Sequence, residues 1–473
     1  MPFKADSRHI KTKKLLWLTL LVLIITFVFH SSIRAREIEL NGSIVLDGYV
    51  TQIGHAPGSS IAYVISKKKR MIFIVDLANS LVRERIKVRG RPVGVAVEPE
   101  SDYAFVSIRK GRKGYLFLVS PDGSIVEKIL LKDRPGKIAI NPQTNTLIVA
   151  LEKEKKLLLI SKETLSVTGE ISLPYRPELL GLDRDSDRAV VVSKSSDNKH
   201  GHRQGEDHRG RKSMIMIVDL ESGTLLDEIS FRERIHDIAI DTDRDIAVIL
   251  WNRGITLMDI NTGDVIKTFS KQNKGCKKCF KKHGSCHFRH KGVVDINQST
   301  HMAVVAAAGE LYFIDLNEKK ILAYHFGKRG HAEVISVDPY QNRALIGARI
   351  DKRKLRYPFK PDNPKKLSDH SSFNERNKPK KHEKRNNPRE RTRLFIVQLP
   401  NPVPEITALI PDASRAGEGV SLRVEGRLFI TDSGVRFNHQ DVNTTFINNE
   451  TLHADVPAEL LSEPGSVPVT VFN

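Results

Sequence analysis

The sequence is poor in cysteine, with 3 cysteines among 473 residues. Small folds that depend on disulfides need far more, so a disulfide-stapled scaffold is excluded. The sequence also lacks a Walker loop, a G-x-S-x-G elbow, an H-E-x-x-H pair and an EF-hand loop. No C-x-x-C-H occurs, which argues against covalent haem attachment. Apolar residues make up 40% and charged residues 28%, the balance of a globular chain.

One long hydrophobic run is present, at residues 15–29, close to the N-terminus. Five bases and one acid precede the run, whereas bases and acids balance after it. The positive-inside rule therefore predicts a transmembrane signal anchor over 15–33, with the basic tail 1–14 in the cytoplasm and the remaining chain extracytoplasmic. Because the run is short, a cleaved signal peptide is the alternative. The nearest cleavage candidate ends at Ala35 and matches A-x-A poorly, which favours an uncleaved anchor.

A unit of about 40 residues recurs between residues 42 and 400, a period typical of propellers and solenoids. Each unit contains four apolar, β-branched segments separated by turns rich in Asp, Asn, Gly and Pro, which predicts four strands. Seven units begin near Val50, Val93, Gly136, Glu178, His236, Lys291 and Ala332.

The seventh unit contains three strand segments and then breaks off. Residues 41–45 (NGSIV) repeat the pattern of residues 122–126 (DGSIV), the outer strand of the second unit. We therefore predict an all-β ring of seven four-stranded blades, in which an N-terminal strand completes the last blade and covers its edge.

The segments IAINPQTNTLIVA, MIFIVDLANS and LMDINTGDVIKTF resemble the YVTN-type propeller repeats of extracytoplasmic and cell-surface proteins. The resemblance covers residues 42–400 and implies a seven-bladed β-propeller over residues 37–400. Repeats of this kind occur in surface proteins and in ring-shaped lactonases and lyases. The fold by itself therefore does not choose between binding and catalysis.

Residues 403–473 have a different pattern and resemble an immunoglobulin-like IPT/TIG domain. The residues that carry the resemblance are Pro404, Ile406, Pro411, Gly417, Val424–Gly426, Phe429, Val435–Asn438, Leu452, Val456–Ala458 and Val467–Val471. The resemblance implies a small β-sandwich used for spacing or for protein contact, with no chemistry of its own.

The formal charge of +20 is distributed unevenly along the chain. The tail 1–14 and three predicted insertions, 194–212, 271–291 and 351–393, together carry +25, so the remaining framework is slightly acidic. The predicted strand order places all three insertions on one face of the ring. Turns of the opposite face are rich in Asp and Glu.

Shorter basic loops are predicted on the same face as the insertions, and we expect them to bind an anionic partner. They contain Lys67, Lys68, Lys69, Arg70, Arg109, Lys110, Arg112 and Lys113. The insertions contain few aromatic residues for base stacking, so sequence-specific nucleic-acid recognition is not expected. The expected partner is an anionic polysaccharide or a protein.

All three cysteines lie in the insertion 271–291, as Cys276, Cys279 and Cys286, and His290 follows them. Three thiolates and one imidazole form the tetrahedral donor set of structural zinc. The C-x-x-C spacing also suits a disulfide or a redox pair outside the cytoplasm, and an inert loop is the third alternative.

A catalytic alternative rests on His236, His290 and His331, which lie five, seven and seven residues before the turn residues of their units. Odd offsets share one face of a strand, so the three imidazoles are expected together at the mouth of the central channel. Such a cluster could hold a divalent cation or act as acid and base in a metal-dependent lyase or lactonase. The preferred interpretation is a binding protein, and no catalytic residue is assigned under it.

Overall fold

The computed structural model describes residues 40–131, 133–194, 213–252, 254–270, 292–307, 310–326, 332–350 and 391–473. Across these ranges the chain is almost entirely antiparallel β-structure, with one short 3-10 helix at Ala458–Leu461. None of the described helical structure is long and apolar enough to cross a membrane. The predicted anchor 15–33 lies outside the described ranges.

Seven sheets have four strands each, and we number them blades 1 to 7 in chain order. Blade 1 contains Gln52–His55 (β2), Ile61–Ser66 (β3), Met71–Asp76 (β4) and Leu81–Lys87 (β5). Blade 2 contains Arg91–Val97 (β6), Ala104–Lys110 (β7), Lys113–Val119 (β8) and Ile125–Leu131 (β9). Blade 3 contains Pro135–Asn141 (β10), Thr146–Leu151 (β11), Lys156–Ser161 (β12) and Val167–Ser172 (β13). Blade 4 contains Leu179–Asp183 (β14), Arg188–Lys194 (β15), Ser213–Asp219 (β16) and Leu225–Phe231 (β17).

The remaining blades follow the same order of strands. Blade 5 contains Ile235–Asp241 (β18), Ile246–Trp251 (β19), Gly254–Asp259 (β20) and Val265–Ser270 (β21). Blade 6 contains Val293–Asn297 (β22), Met302–Ala307 (β23), Glu310–Asp315 (β24) and Lys320–Phe326 (β25). Blade 7 contains Ala332–Asp338 (β26), Arg343–Ile350 (β27), Arg391–Gln398 (β28) and, as its outer strand, Leu40–Asp47 (β1).

The first strand of every blade contacts the first strand of the next blade, and β26 contacts β2, so the inner strands form a closed ring. The ring is completed by an N-terminal strand, because β1 pairs antiparallel with β28 over Leu40–Asp47. This pairing confirms the prediction made from the repeated NGSIV pattern. The result is a propeller-like all-β fold in which the end of the repeat region is joined to its beginning.

The hydrophobic core lies between neighbouring blades. In blade 1, β3 is buried along its whole length, whereas the outer strand β5 is mostly exposed. Tyr63 of β3 packs in one cluster with Val95 and Val106 of blade 2. Strands buried on both faces read as continuous apolar runs, and this explains the VVVS and IAVIL segments of the sequence. Burying one such side chain stabilises the fold by about 1.5–3 kcal/mol.

Strand β28 begins at Arg391, so the last three residues of the predicted insertion 351–393 belong to blade 7. Thr392 is buried, and its hydroxyl donates a hydrogen bond to the carbonyl oxygen of Gly48 at 2.8 Å. The insertion boundary was placed too late because Arg391 and Arg393 flank the buried Thr392 and give the start of the strand the composition of the insertion. Lys194, the first residue of the predicted insertion 194–212, likewise lies in β15.

The C-terminal residues form a separate antiparallel sheet of six strands around their own core. The strands are Glu405–Ile410 (β29), Val420–Arg427 (β30), Gly434–Phe437 (β31), Gln440–Asn448 (β32), Thr451–Val456 (β33) and Val469–Phe472 (β34). Phe429, Val424 and Leu452 are fully buried in this core.

The C-terminal sheet contacts blade 7 at the turn between β26 and β27. Tyr340 of that turn stacks edge-on against Phe446, with ring centroids 5.9 Å apart. The backbone N–H and the hydroxyl of Thr431 both donate to the carbonyl oxygen of Tyr340, at 2.9 and 2.8 Å. An aromatic contact and two hydrogen bonds therefore attach the second domain to this turn.

Candidate functional site

The antiparallel order of each blade defines two surfaces of the ring. Turns between first and second strands lie on one surface, which we call the turn face. Turns between second and third strands lie on the other, together with the links between blades, and we call it the loop face. The basic loops 67–70 and 109–113 join β3 to β4 and β7 to β8, so they occupy the loop face of blades 1 and 2.

Tyr49 marks the centre of a basic surface on the loop face. It lies in the link from β1 to β2, and two cations approach its ring. The Nζ of Lys68 is 5.5 Å from the ring centroid, and the Cζ of Arg349 is 4.4 Å from it. Blade 7 supplies Arg349 and blade 1 supplies Lys68, so positive charge gathers where the ring closes. We define the basic surface as Tyr49, Lys67, Lys68, Lys69, Arg70, Lys110, Arg112, Lys113 and Arg349.

Arg109 has a structural role that the sequence did not indicate. Its Nε donates to the carbonyl oxygen of Pro135 at 2.6 Å, and its guanidinium forms an ion pair with Glu152. Both partners belong to blade 3, so Arg109 joins two blades. Because its charge is already paired with Glu152, we leave Arg109 out of the basic surface, and its predicted role in binding a partner stays a prediction.

His236 is half-buried at the start of β18, and its Nε2 lies 2.8 Å from the Oδ1 of Asn252. The pairing of β18 with β19 shifts register between Ile235 and Asp237, so a bulge occurs at His236. A bulge breaks the alternation of side chains, and an odd offset from Asp241 therefore does not define a face at this position.

The other predicted ligands lie outside the described ranges. They are His290, His331, Cys276, Cys279 and Cys286. The zinc site and the histidine cluster stay predictions.

The inner strands enclose a central cavity of about 300 Å³ that opens towards the turn face. Each blade contributes one residue to a ring near the turn end of its inner strand, and six of the seven are small. The seven residues are Gly54, Ala96, Ala139, Gly181, Ala239, Asp295 and Ser336. At Gly54 a Cβ atom would lie 2.8 Å from the Cγ2 of Val95, so the close approach of the next blade requires glycine there.

Asp295 is the one ionisable member of this ring. Its Oδ2 accepts the N–H of Val337 at 2.8 Å, and its Oδ1 accepts the N–H of Ile296 at 2.9 Å. Burial raises the pKa of Asp295 to about 6, and the two N–H donors oppose that effect. The nearby Asp237 also raises this pKa, whereas Arg184 lowers it.

Arg184 lines the same cavity from blade 4, directly after the end of β14. Its side chain is exposed, and within the described ranges it forms neither a hydrogen bond nor an ion pair with N···O of 4.0 Å or less. Gln52, also on the wall, donates to the carbonyl oxygen of Val95, while its Oε1 has no partner in the described part of the chain. The cavity therefore contains a guanidinium, a carboxyl group and an amide oxygen with unused hydrogen-bonding capacity.

A repeated polar contact joins the inner strand of one blade to the turn of the next. Asn141 donates to Asp187 at 2.6 Å, and Asn297 donates to Asn342 at 2.9 Å. The second partner is always the last turn residue, with φ between 44° and 52° at Asp187, Asp245, His301 and Asn342. Asn, Asp and His are the non-glycine residues that adopt this left-handed conformation most readily. We call these pairs the seam contacts.

Asp241, Asp243 and His301 are the described residues best placed to hold a metal ion, with ligand atoms within 4.8 Å of one another. The Nδ1 of His301 lies 3.1 Å from Asp241, and its Nε2 lies 3.7 Å from Asp243. The ring presents different nitrogens to the two carboxylates, as in hydrogen bonding rather than shared ligation. Asp241 and His301 also occupy the seam-contact positions, so we interpret the cluster as structural.

Sequence reasoning missed Arg184 and Asp295. The signal was available in the aligned repeats, since the residue two before Asn141, Asp241 and Asn297 reads Ala, Ala and Asp. At this position of the ring the other blades have Gly, Ala or Ser, so the carboxyl group of Asp295 indicates a requirement other than packing.

Among solved structures, the chain is similar to hydrazine synthase from Kuenenia stuttgartiensis, with a TM-score of 0.50 and 13% identity. The match covers 67% of this chain and 96% of that chain. No family model matches the sequence, and no curated protein matches it. At this level of identity the likeness shows the fold alone, which is propeller-like and all-β.

Proposed function

We propose that the protein is a membrane-anchored, extracytoplasmic binding protein, and that its basic surface binds an anionic polysaccharide. In this proposal the ring is a seven-bladed propeller of the YVTN type. The C-terminal sheet is an IPT/TIG domain that acts as a spacer or a second contact. Residues 15–33 anchor the chain, so both domains lie outside the cytoplasm.

The observation that carries the proposal is the concentration of cations around Tyr49. Lys68, Lys69 and Arg70 are exposed, and Lys110, Arg112 and Lys113 are exposed on the adjacent blade. The insertion that follows Ile350 adds many more bases next to Arg349 in the sequence. Clustered charge of one sign attracts a polyanion over a distance of about 10 Å at 0.1 M salt.

A polysaccharide fits this surface better than a folded acidic protein. Lys68 and Arg349 lie over the half-buried ring of Tyr49, which holds charges of blades 1 and 7 together, and a polysaccharide carries acidic groups along its length that can meet several such cations. The surface has few exposed aliphatic side chains. A protein partner would need an apolar centre to bind tightly.

The test is binding of the full-length chain to heparin, with Lys68→Glu combined with Lys69→Glu. We expect at least a tenfold loss of affinity at physiological salt, equivalent to about 1.4 kcal/mol. The matched control is Lys128→Glu combined with Lys267→Glu, which changes the charge equally. Lys128 and Lys267 also lie over aromatic rings, with Nζ 5.8 Å from the centroid of Phe117 and 5.4 Å from that of Phe269, but on the outer strands β9 and β21. Equal binding by the double variant and the control would refute the proposal.

A further inference from the structure

The central cavity lies at the turn face, on the opposite side of the ring from the basic surface. The inner strands surround it laterally, and its small residues leave space that larger ones would fill. Its volume of about 300 Å³ lies at the lower end of the range for small-molecule sites, which is about 300–1,000 Å³. The cavity therefore has room for one sugar-sized ring and not for a polymer segment.

The polar groups of the wall have complementary requirements. Arg184 forms no hydrogen bond and no close ion pair in the described ranges, although Asp295 and Asp185 act on its charge at longer range, so its N–H groups can donate to an anionic ligand. Asp295 has lone pairs beyond the two N–H donors that it accepts, and the Oε1 of Gln52 is also without a donor. Ser336, in the same ring of residues as Asp295, adds a hydroxyl group. A ligand that satisfies all of these groups carries one negative charge and several hydroxyl donors.

The positions of the two charges constrain the ligand further. Arg184 belongs to blade 4 and Asp295 to blade 6, so blade 5 separates them around the ring. They do not form an ion pair, although both line one cavity. A sugar acid offers one carboxylate for Arg184 and several ring hydroxyls that can donate to Asp295 and Gln52.

We propose that the central cavity binds a monomeric sugar acid, with Arg184 contacting the carboxylate and Asp295 and Gln52 accepting hydroxyl hydrogen bonds. The proposal goes beyond the basic surface, because it concerns the other face of the ring and a monomer instead of a polymer. Gln298 and His55 also line the cavity, and both already have hydrogen-bond partners within the protein. Gln298 bonds Ile240 and Thr242, whereas His55 bonds Ser59 and Asp338.

The repeats themselves supply variants that keep the fold. Arg184→Thr introduces the residue that blade 5 has at the same position, Thr242, and Asp295→Ser introduces the counterpart from blade 7, Ser336. Arg244→Thr is the control, since it removes the same charge from a neighbouring turn and does not line the cavity. Thermal unfolding of each variant checks that the ring is intact.

The experiment is isothermal titration of the full-length chain with sodium D-glucuronate, compared with D-glucose and cyclohexanecarboxylate. We expect glucuronate to bind at least tenfold more tightly than either comparison compound. Arg184→Thr and Asp295→Ser should each weaken glucuronate binding at least tenfold, and Arg244→Thr should leave it unchanged. Equal binding of glucose, or unchanged binding by Arg184→Thr, would overturn the proposal. If Asp295→Ser unfolds, Arg184→Thr decides alone.

Discussion

The seam contact between blades 3 and 4 and the one between blades 4 and 5 occupy the same place in successive repeats. In the first, the amide of Asn141 donates to Asp187. In the second, Asp183 faces Asp245, and the Oδ1 of Asp183 has no hydrogen-bond partner in the described part of the chain. Burial, together with the charge of Asp245, raises the pKa of Asp183. A buried carboxyl group at this place is therefore harder to ionise when it faces a second carboxylate instead of an amide donor.

The contact between blades 7 and 1 shows the opposite case, a carboxylate with several donors. Asp338 accepts the N–H of Gly58 at 2.9 Å and the Nε–H of Arg343 at 3.2 Å, and its Oδ2 lies 3.4 Å from the Nε2 of His55. Burial opposes ionisation, but His55, Gly58 and Arg343 lower the pKa of Asp338. The closing seam of the ring is thus the most completely satisfied one.

The largest effect is expected for Asp338→Ala, which leaves the buried Arg343 without its counter-charge. We predict a loss of about 3–5 kcal/mol of unfolding free energy at pH 7, measured by urea denaturation. Since the folded pKa is lowered, the contribution is present above the unfolded value of 3.8 and is lost as pH falls through the folded value. The unfolding free energies of the wild type and the variant should therefore converge in acid.

Asp76→Ala is the control, because Asp76 accepts hydrogen bonds within its own exposed turn. An equal loss of unfolding free energy in that variant would contradict the interpretation.

A smaller effect is expected for Asn141→Asp, which places a carboxyl pair at the seam between blades 3 and 4. The new carboxylate faces Asp187 and cannot donate to it as the Asn141 amide does. We predict a loss of about 1–3 kcal/mol of unfolding free energy at pH 7. The loss should diminish as the pH is lowered, because protonation restores a donor. A variant as stable as the wild type in urea at pH 7 would show that the seam contact contributes nothing.

The smallest effect, and the one of opposite sign, is expected for Asp183→Asn. The new amide can donate to Asp245 as Asn141 donates to Asp187. We predict a gain of about 1 kcal/mol of unfolding free energy at pH 7. The raised pKa of Asp183 means that its contribution is fully present below 3.8 and is lost as pH rises through the folded value. The gain should therefore vanish near pH 3. Urea midpoints at pH 7 and pH 3 measure both; a destabilised variant at pH 7 would contradict the comparison.

Much of the framework could be predicted from the sequence. The repeated apolar segments locate the inner strands close to where the structure has them, and the NGSIV pattern identifies β1 as the outer strand of blade 7. The insertion boundary at 391–393 could not be located, because Thr392 is the inward residue between two arginines. The role of Arg109 was also hidden, since its partners Pro135 and Glu152 come from the next repeat.

The candidate sites show the same division. The basic loops of blades 1 and 2 follow from local sequence, because a charged turn between two strands must be exposed. The five-residue offset of His236 from Asp241 does not define the strand face of His236, because a bulge there changes the side-chain alternation. No sequence pattern indicates this bulge. Asp295 and Arg184 are 111 residues apart, and no spacing rule connects them.

By itself, the sequence determined the number of blades, the order of strands within each and the uneven distribution of charge. These properties depend on residues that are close together along the chain, where side-chain alternation and turn chemistry act directly. The closed ring decided which residues meet across blades: Tyr49 with Lys68 and Arg349, Asp338 with His55, and Arg184 with Asp295 around one cavity. Such encounters depend on curvature and register summed over seven blades, which no single repeat contains.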